Sequence, residues 1–310
     1  MMSHAPIALF VYARPWHTRK VLESLERNPE ARDSVLYIFA DGPKEGATTE
    51  QIEAIREVRQ LITEKSWCGD VRLVESSTNR GLADSIVSGV TEVVGSQGRV
   101  IVLEDDIELG PGALAFFNAA LNLYQSDDAV MQISGFMVRC PIWVPSTGFL
   151  RMSSSWGWAT WDRAWKHYRS DSTALRERID RIGRRAFDLE NTSFHYEELC
   201  RNERGELKTW AVKWYASIFL RNGLCLYPKR SIARNVGFDG SGENCEADSS
   251  GYFNRLPFAR SVRLQRQTLV ESPDYLKAMQ RSFRYRLQVW TGTRLRDRLN
   301  NKLKRLGQFR

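Results

Sequence analysis

The strongest constraint on this chain's fold is an alternation that runs through its first 124 residues. Apolar runs of strand length take turns with stretches whose apolar residues recur every three or four positions. "PIALFVYAR" (Pro6–Arg14), "SVLYIFADG" (Ser34–Gly42), "DVRLVES" (Asp70–Ser76) and "RVIVLEDD" (Arg99–Asp106) read as strands. Between the first two, residues from Trp16 to Arg27 place Val21, Leu22 and Leu25 at helical spacing. Thr49 to Ile62 does the same with Ile52, Ile55, Val58, Leu61 and Ile62, and "GLADSIVSGVTEVV" (Gly81–Val94) makes a third helix. Gly110 and Pro111 open a fourth, reaching Tyr124, with proline at a tolerated first-turn position. Strands that alternate with helices predict an α/β fold: a mostly parallel, Rossmann-like sheet with helices on both faces. Such sheets bind ligands at the carboxyl ends of their strands. Here those ends carry Ala13–Arg14, Ala40–Gly42, Glu75–Gly81 and Glu104–Asp106, all polar and all expected at one edge.

The last of these ends poses a charge problem. "VIVLEDDIEL" (Val100–Leu109) leads a buried strand straight into three adjacent carboxylates. Like charges so close disfavour one another's ionisation, so a positive partner belongs there. A divalent cation bridging to a diphosphate meets the need, because Mn²⁺ and Mg²⁺ prefer carboxylate oxygens and share their shells with phosphate. Taken alone the three acids also suit a solvated loop before a helix N-terminus.

The second half is less regular. "SSSWGWATWDRAW" (Ser153–Trp165) is rich in tryptophan, with Gly157 between two of them. A polar helical region spans Ser172 to Arg201, an apolar helix is expected over Leu207–Gly223, and "LCLYP" (Leu224–Pro228) is a short strand. "NVGFDGSGENC" (Asn235–Cys245) holds three glycines in six residues and reads as a mobile loop.

Composition narrows the class. Hydrophobic residues at 42% and charged residues at 26% suit a soluble globular protein. No apolar run approaches the roughly 18 residues of a membrane span, and the first residues lack the basic and small-residue pattern of a signal peptide. The five cysteines are scattered and form no metal-binding spacing, which suits a reducing, cytoplasmic setting. The net charge of +8 is uneven: from Tyr275 onward eleven Lys and Arg face Asp297 alone, leaving the rest near −2. With no nucleic-acid motif and a body that is not basic, nucleic-acid binding is disfavoured.

Several stretches together resemble the nucleotide-sugar glycosyltransferases of the GT-A fold, in particular the N-acetylglucosaminyltransferase I type and its bacterial family-two-like relatives. The stretches are "ARPWHTRKVLESL" (Ala13–Leu25), "FADG" (Phe39–Gly42), "NRGLADSI" (Asn79–Ile86), "VIVLEDDIELGPGALAFF" (Val100–Phe117), "SSWGWATW" (Ser154–Trp161) and "NVGFDGSG" (Asn235–Gly242). They run in the family's order from Ile7 to Cys245. The resemblance implies transfer of a sugar from a nucleotide donor, UDP-linked in that family, to a glycan or lipid-linked hydroxyl acceptor, as in cell-surface polysaccharide synthesis, with Mn²⁺ or Mg²⁺ assisting and with inversion. It implies Asp106 as the metal ligand. It places Glu104 and Asp105 toward the uracil and ribose or as shapers of the site, and Arg14 on the nucleotide. Asp41 would face uracil N3–H, Asn79 and Arg80 would border the diphosphate, and Trp156 and Trp158 would be pocket walls. Core packing remains open for both tryptophans.

One expected element is missing. The resembled enzymes carry a general base at the start of a late helix, where this chain has Ala211 and Val212 in "KTWAVKW". Asp239, Glu243 and Asp162 are the substitutes, each with a turn or capping role as the alternative. Two other functions stay open: a catalytically degenerate binding or scaffold protein, and a sugar nucleotidyltransferase. The latter calls for a glycine-rich first loop, which "ARPWHTRK" lacks.

The domain reading is one transferase-like unit over residues 1–270 and a basic extension over 271–310. In the extension Leu295, Leu299, Leu303 and Leu306 recur among bases as a cationic amphipathic helix. Such a helix suits an anionic membrane surface at the inner face of the cell membrane. Docking on the body is the alternative.

Overall fold

A computed structural model describes residues 4–240 and 257–285. The α/β expectation is met. In chain order the elements begin β1 (Ile7–Val11), α1 (Pro15–Glu26), a 3₁₀ turn (Pro29–Asp33), β2 (Val35–Ala40), α2 (Thr49–Thr63), β3 (Asp70–Glu75), α3 (Leu82–Gln97) and β4 (Arg99–Glu104). They continue with β5 (Ile107–Leu109), α4 (Ala113–Leu123), β6 (Val130–Ser134), β7 (Thr147–Leu150), β8 (Trp158–Trp161) and α5 (Asp162–Trp165). The remainder is α6 (Ser172–Ile182), α7 (Arg184–Phe187), α8 (His195–Glu203), α9 (Ala211–Phe219), β9 (Leu224–Pro228) and β10 (Ala233–Asn235). Residues 273–285 are helical. None of the described helices is long and apolar enough to cross a membrane.

Local chemistry explains the boundaries that matter here. β1 is buried at all five positions, as expected of a central strand covered on both faces. α1 starts at Pro15, whose fixed φ suits a first turn. α2 opens with a capping box in which Thr48 and Gln51 exchange side-chain and backbone hydrogen bonds.

The main sheet has the strand order β3-β2-β1-β4-β8-β6-β9-β7. β1 pairs in parallel with β2 and β4, whereas β8 runs antiparallel to both β4 and β6. The carboxyl ends of β1, β2, β3, β4, β6 and β9 therefore share one edge. A second, two-stranded ribbon joins β10 antiparallel to β5, with Asn235 opposite Ile107. That ribbon returns the chain to the carboxylates at the end of β4.

β8 decides the fate of two candidate residues. Because it is antiparallel, its last residue, Trp161, lies opposite Arg99 at the amino end of β4. Asp162 follows there and donates its backbone N–H to the Gly98 carbonyl at 2.9 Å. Five residues of strand, roughly 17 Å at 3.3–3.4 Å each, separate that point from Glu104. Asp162 is thus at the wrong edge to serve as a base beside the acidic cluster. Trp158 is also not a pocket wall. It is fully buried and stacks on Trp210 at 5.1 Å, with Trp165 at 5.7 Å and Trp214 at 6.4 Å. A ring with no exposed face offers nothing to a sugar.

Two other expectations shift. The polar helical region from Ser172 breaks into α6, α7 and α8, with Leu189, Glu190 and Asn191 at φ of 50°, 60° and 62°. The boundary expected at 270/271 also fails to mark the end of the packed body. Glu271 Oε1 accepts the Arg151 N–H at 2.8 Å, and Tyr275 is fully buried with its hydroxyl donating to the Pro145 carbonyl at 2.9 Å. The leucine stripe from Leu295 to Leu306 lies outside the described residues.

Replacing Trp158 with alanine should cost about 3–5 kcal/mol of stability by leaving a cavity in the aromatic cluster. Nucleotide affinity of the folded fraction should stay at the wild-type value. Thermal melts combined with UDP titration check both parts, and a selective loss of UDP binding would return Trp158 to the site.

Candidate functional site

The positive partner that the acidic cluster requires is Arg14. The register of β1 on β4 puts Phe10 opposite Glu104, so the segment after β1 emerges beside Asp105 and Asp106. Arg14 Nη1 donates to Asp106 Oδ2 at 2.9 Å and to Asp105 Oδ1 at 3.3 Å. All three side chains are at most 15% exposed. Burial works against the charged guanidinium, but Asp105 and Asp106 outweigh it and hold its pKa above the ordinary value.

The acids respond in the opposite sense. Desolvation, reinforced by Asp106 and Asp105, pushes the Glu104 carboxyl well above the usual carboxylate range. Asp105 is pushed up to about 7 by desolvation and by Asp106, with Arg14 opposing. One guanidinium does not neutralise three buried acids.

The 235–239 segment closes over this pair. Val236 donates its N–H to the Asp106 carbonyl at 2.8 Å, and Asn235 Oδ1 accepts the Gly237 N–H at 2.7 Å. A Cβ on Gly237 would stand 2.3 Å from Asp106 Oδ2 and 2.6 Å from Arg14 Nη2, so only glycine permits the approach. Asp239 then reaches back, with Oδ1 3.9 Å from Arg14 Nη2 and Oδ2 3.1 Å from His17 Nε2. His17 is buried, and desolvation followed by the charge of Arg14 lowers its pKa. His17 belongs to the site although its sequence carried only a faint signal: it sits three residues after Arg14, on the same face of α1. Glu243 lies outside the described residues.

Asp41, Asn79 and Arg80 occupy the same sheet edge but are committed to the loop itself. Asp41 Oδ1 accepts from the N–H groups of Gly42 at 2.9 Å and Arg80 at 2.8 Å, and Oδ2 accepts from Gly81 at 2.9 Å. Asn79 Nδ2 donates to the Gly42 carbonyl at 3.0 Å, and Arg80 Nη2 donates to Ser88 Oγ at 3.0 Å on α3. The Arg80 guanidinium is therefore directed along α3.

Trp156 is the tryptophan that faces the site. Gly157, at φ 66°, turns the chain between it and Trp158, so neighbours in sequence point to different places. The Trp156 ring meets Phe238 edge-on at 5.3 Å and Phe136 at 4.3 Å.

Buried polar atoms here without a hydrogen-bond partner among the described residues include Arg14 Nε, Arg14 Nη2, His17 Nε2 and Asp106 Oδ1. Unpaired buried groups are uncommon and mark places where a ligand or ion completes the set. Guanidinium N–H groups suit phosphate oxygens, and a carboxylate oxygen suits a divalent cation. Among the described residues no group of three His, Cys, Asp or Glu side chains converges as a protein-only metal cage. The donor set fits a cation that Asp106 Oδ1 would hold.

No protein-family model matches the chain, and no curated protein matches it in sequence. Solved structures do match. S. aureus TarS aligns over 76% of this chain and 37% of its own at 11% identity and a TM-score of 0.40, so the match spans little more than a third of that protein. The galactosyltransferase LgtC, in complex with donor and acceptor sugar analogues, aligns over 72% of each chain at 9% identity and a TM-score of 0.36. A UDP-glucose pyrophosphorylase complexed with UDP-glucose covers 81% of this chain and 96% of its own at 11% identity and a TM-score of 0.37. Overlaps this shallow carry no argument about residues or chemistry. The α/β architecture rests on the strand order and pairing described above.

Two predictions test the electrostatics and the strap. An acid whose folded pKa is raised stabilises less as pH climbs from its ordinary value toward the raised one. For Asp105 that window runs from 3.8 to about 7. In chelator-containing buffer Asp105→Asn should therefore melt higher than wild type at pH 8, with the difference shrinking toward pH 4. Gly237→Ala should force the 235–239 segment away from Asp106. Hydrogen exchange at the Val236 amide should then speed up at least tenfold, and an unchanged rate would show that the close approach does not hold the segment.

Proposed function

We propose that this protein transfers a glycosyl group from a nucleoside diphosphate sugar to a hydroxyl acceptor. One observation carries the reading: at the carboxyl edge of β1 and β4, buried Arg14 donors and a buried Asp106 oxygen lie side by side without hydrogen-bond partners among the described residues. A diphosphate with its cation supplies the partner for each.

Charge balance supports the cation. Arg14 is the one guanidinium hydrogen-bonded to Asp105 and Asp106, and Glu104 adjoins them. A diphosphate adds more negative charge, and its binding calls for a divalent ion, Mn²⁺ or Mg²⁺, on Asp106 Oδ1. When bound, that ion stabilises the charge that develops on the departing diphosphate. Arg14 Nε and Nη2 would bind phosphate oxygens while Nη1 keeps its hold on the acids. Glu104 and Asp105 would shape the nucleotide side. The Gly237–Asp239 segment, pinned by His17, would cover the diphosphate and exclude water. Trp156 would wall the side from which an acceptor sugar approaches. A glycan or lipid-linked acceptor and a cytoplasmic, membrane-peripheral setting fit this chemistry.

The nucleotidyltransferase alternative fits the local backbone less well. The segment after β1 has no glycine, and α1 begins with Pro15, which offers no N–H to a phosphate.

Calorimetry with UDP and a UDP-sugar panel tests the proposal. Wild-type protein should bind UDP more tightly with Mn²⁺ than with chelator, and should release free UDP from one donor. Asp106→Asn should lose at least tenfold in the Mn²⁺-dependent affinity, about 1.4 kcal/mol. Unchanged affinity in the variant overturns the metal role. Pyrophosphate-dependent formation of UTP in place of free UDP marks a nucleotidyltransferase, and UDP binding without turnover of any donor marks a binding protein.

A further inference from the structure

Farther along the same sheet edge, two large apolar side chains stand in solvent. Ile142 is 83% exposed and Trp143 77%, side by side in the segment that joins β6 to β7. They are the most exposed large hydrophobic residues among those described. Apolar residues exposed singly are ordinary, but an adjacent isoleucine and tryptophan form a patch. Pro141 and Pro145 bracket the pair, and Trp143 makes no ring contact among the described residues.

The backbone beneath the pair is tied down. Lys229 Nζ donates to the Ile142 carbonyl and, at 3.0 Å, to the Val144 carbonyl. The Tyr275 hydroxyl donates to the Pro145 carbonyl at 2.9 Å, and the Lys229 N–H donates to the Ser146 carbonyl at 2.8 Å. Ser146 Oγ donates to the Arg263 carbonyl, and Val144 is buried in the core. The prolines fix φ at both ends. The tip is therefore held in place while its two largest side chains stay out, and a pre-ordered loop loses little freedom when it docks.

The surroundings are cationic. Residues 135–146, 229–236 and 257–270, which meet at this loop, contain no acid. Arg139, Arg230 and Arg263 are exposed there. Burial pushes the Cys140 thiol up to about 11, with Lys229 and Arg281 opposing, so both cations stand near the root of the loop. Arg139, Arg230, Arg263 and Arg281 form no ion pair among the described residues. Of the next acids in sequence, Glu271 accepts the Arg151 N–H, and Asp274 shares its helix with Lys277, Arg281 and Arg284. This basic collar belongs mostly to the part of the chain whose net charge is near −2.

We propose that the Pro141–Pro145 loop docks on an anionic lipid bilayer, with Ile142 and Trp143 inserted at the headgroup boundary and the surrounding arginines on lipid phosphates. Tryptophan favours that boundary, and apolar residues ringed by bases suit an anionic leaflet. The loop is separate from the C-terminal extension, and its docking does not depend on the transferase reading. Its place in the fold gives the docking a direction. β7 begins with Thr147 opposite Pro228, the last residue of β9, so the loop leaves the carboxyl edge of the sheet. Four strand spacings, roughly 19 Å, separate β7 from β4 along that edge. Docking would hold the edge that carries Arg14 and Asp106 at the bilayer surface.

The experiment uses the full chain and phosphatidylcholine vesicles with or without phosphatidylglycerol as about one-third of the lipid. Co-sedimentation should show at least tenfold tighter binding to the anionic vesicles, weakening as salt is added. Ile142→Asp combined with Trp143→Asp should lose at least tenfold in affinity although the C-terminal extension is intact. Arg139→Glu combined with Arg230→Glu should lose affinity for the anionic vesicles with an unchanged melting temperature. Trp143→Phe keeps an apolar ring and should still sediment with them. Bromine-labelled lipid should quench part of the wild-type tryptophan emission, and Trp143→Phe should lack that quenched part. Without lipid, acrylamide should quench the same part, since the indole is exposed.

The proposal is overturned if wild-type protein does not bind the anionic vesicles, if the double aspartate variant binds them normally, or if brominated lipid quenches Trp143→Phe as fully as wild type. It is also overturned if the Trp143 emission is shielded from acrylamide, because another part of the chain or a second copy then covers the loop. Should the double aspartate variant melt early, the Trp143→Phe quenching decides. UDP enters none of these readouts, so failure of the transferase reading leaves their outcome intact.

Discussion

The contact between Arg14 and the Asp105–Asp106 pair is the point on which the rest of the site depends. A parallel sheet delivers polar strand ends to one edge, but it delivers them with their solvation already removed. Two adjacent acids there need a cation at hydrogen-bond distance, and Arg14 reaches both from the neighbouring strand. The register of β1 on β4 sets this up, since a slip of one residue would turn the alternation of both strands inside out. Buried ion pairs often return less than the desolvation they incur. Packing for stability alone would favour apolar residues at this edge, so the arrangement makes sense as one kept for binding.

The second half of the chain contributes by coming back to that edge. β10 pairs with β5, and the Val236 N–H reaches the Asp106 carbonyl at 2.8 Å across 130 positions of sequence. This ribbon is short, yet it places Gly237 against the ion pair and Asp239 against His17. Trp156 is fixed from the other side. The buried Gln132 amide donates to the Ser154 carbonyl at 2.9 Å and accepts from the Trp214 indole at 2.8 Å, which anchors the segment before Trp156 to the aromatic cluster. The candidate site is therefore a seam between the parallel half of the sheet and the mixed half.

The parallel half was legible because its signals are local. β1, β2 and β4 are unbroken apolar runs, and the helices between them keep one apolar face. That Arg14 and the three acids end neighbouring strands follows from the same alternation. What escaped depends on long-range pairing. Nothing in "WATW" announces an antiparallel strand slotted between β4 and β6, yet that direction sends Asp162 to the far edge and Trp158 into the core. His17 stood out little among Trp16, Thr18, Arg19 and Lys20, because its partner Asp239 lies far along the chain. His195 and Glu198 sit in a stretch whose broken helices carry no periodic signal, and only the folded chain turns them toward a cavity that Trp156 also lines.

On the proposed reading, the division of charge across this seam has a chemical logic. The edge of β1 and β4 is acidic and spanned by a single guanidinium, so it binds a phosphate group only together with a cation. Arg14 has donors to spare for this, because Nη1 alone hydrogen-bonds Asp105 and Asp106 while Nε and Nη2 have no hydrogen-bond partner among the described residues. The cavity on the far side of Trp156 is different. Its lining is mostly aromatic and apolar, with four serines, one carboxylate and one imidazole. That composition suits an uncharged sugar ring, which stacks on indole and offers hydroxyls to a few fixed polar groups.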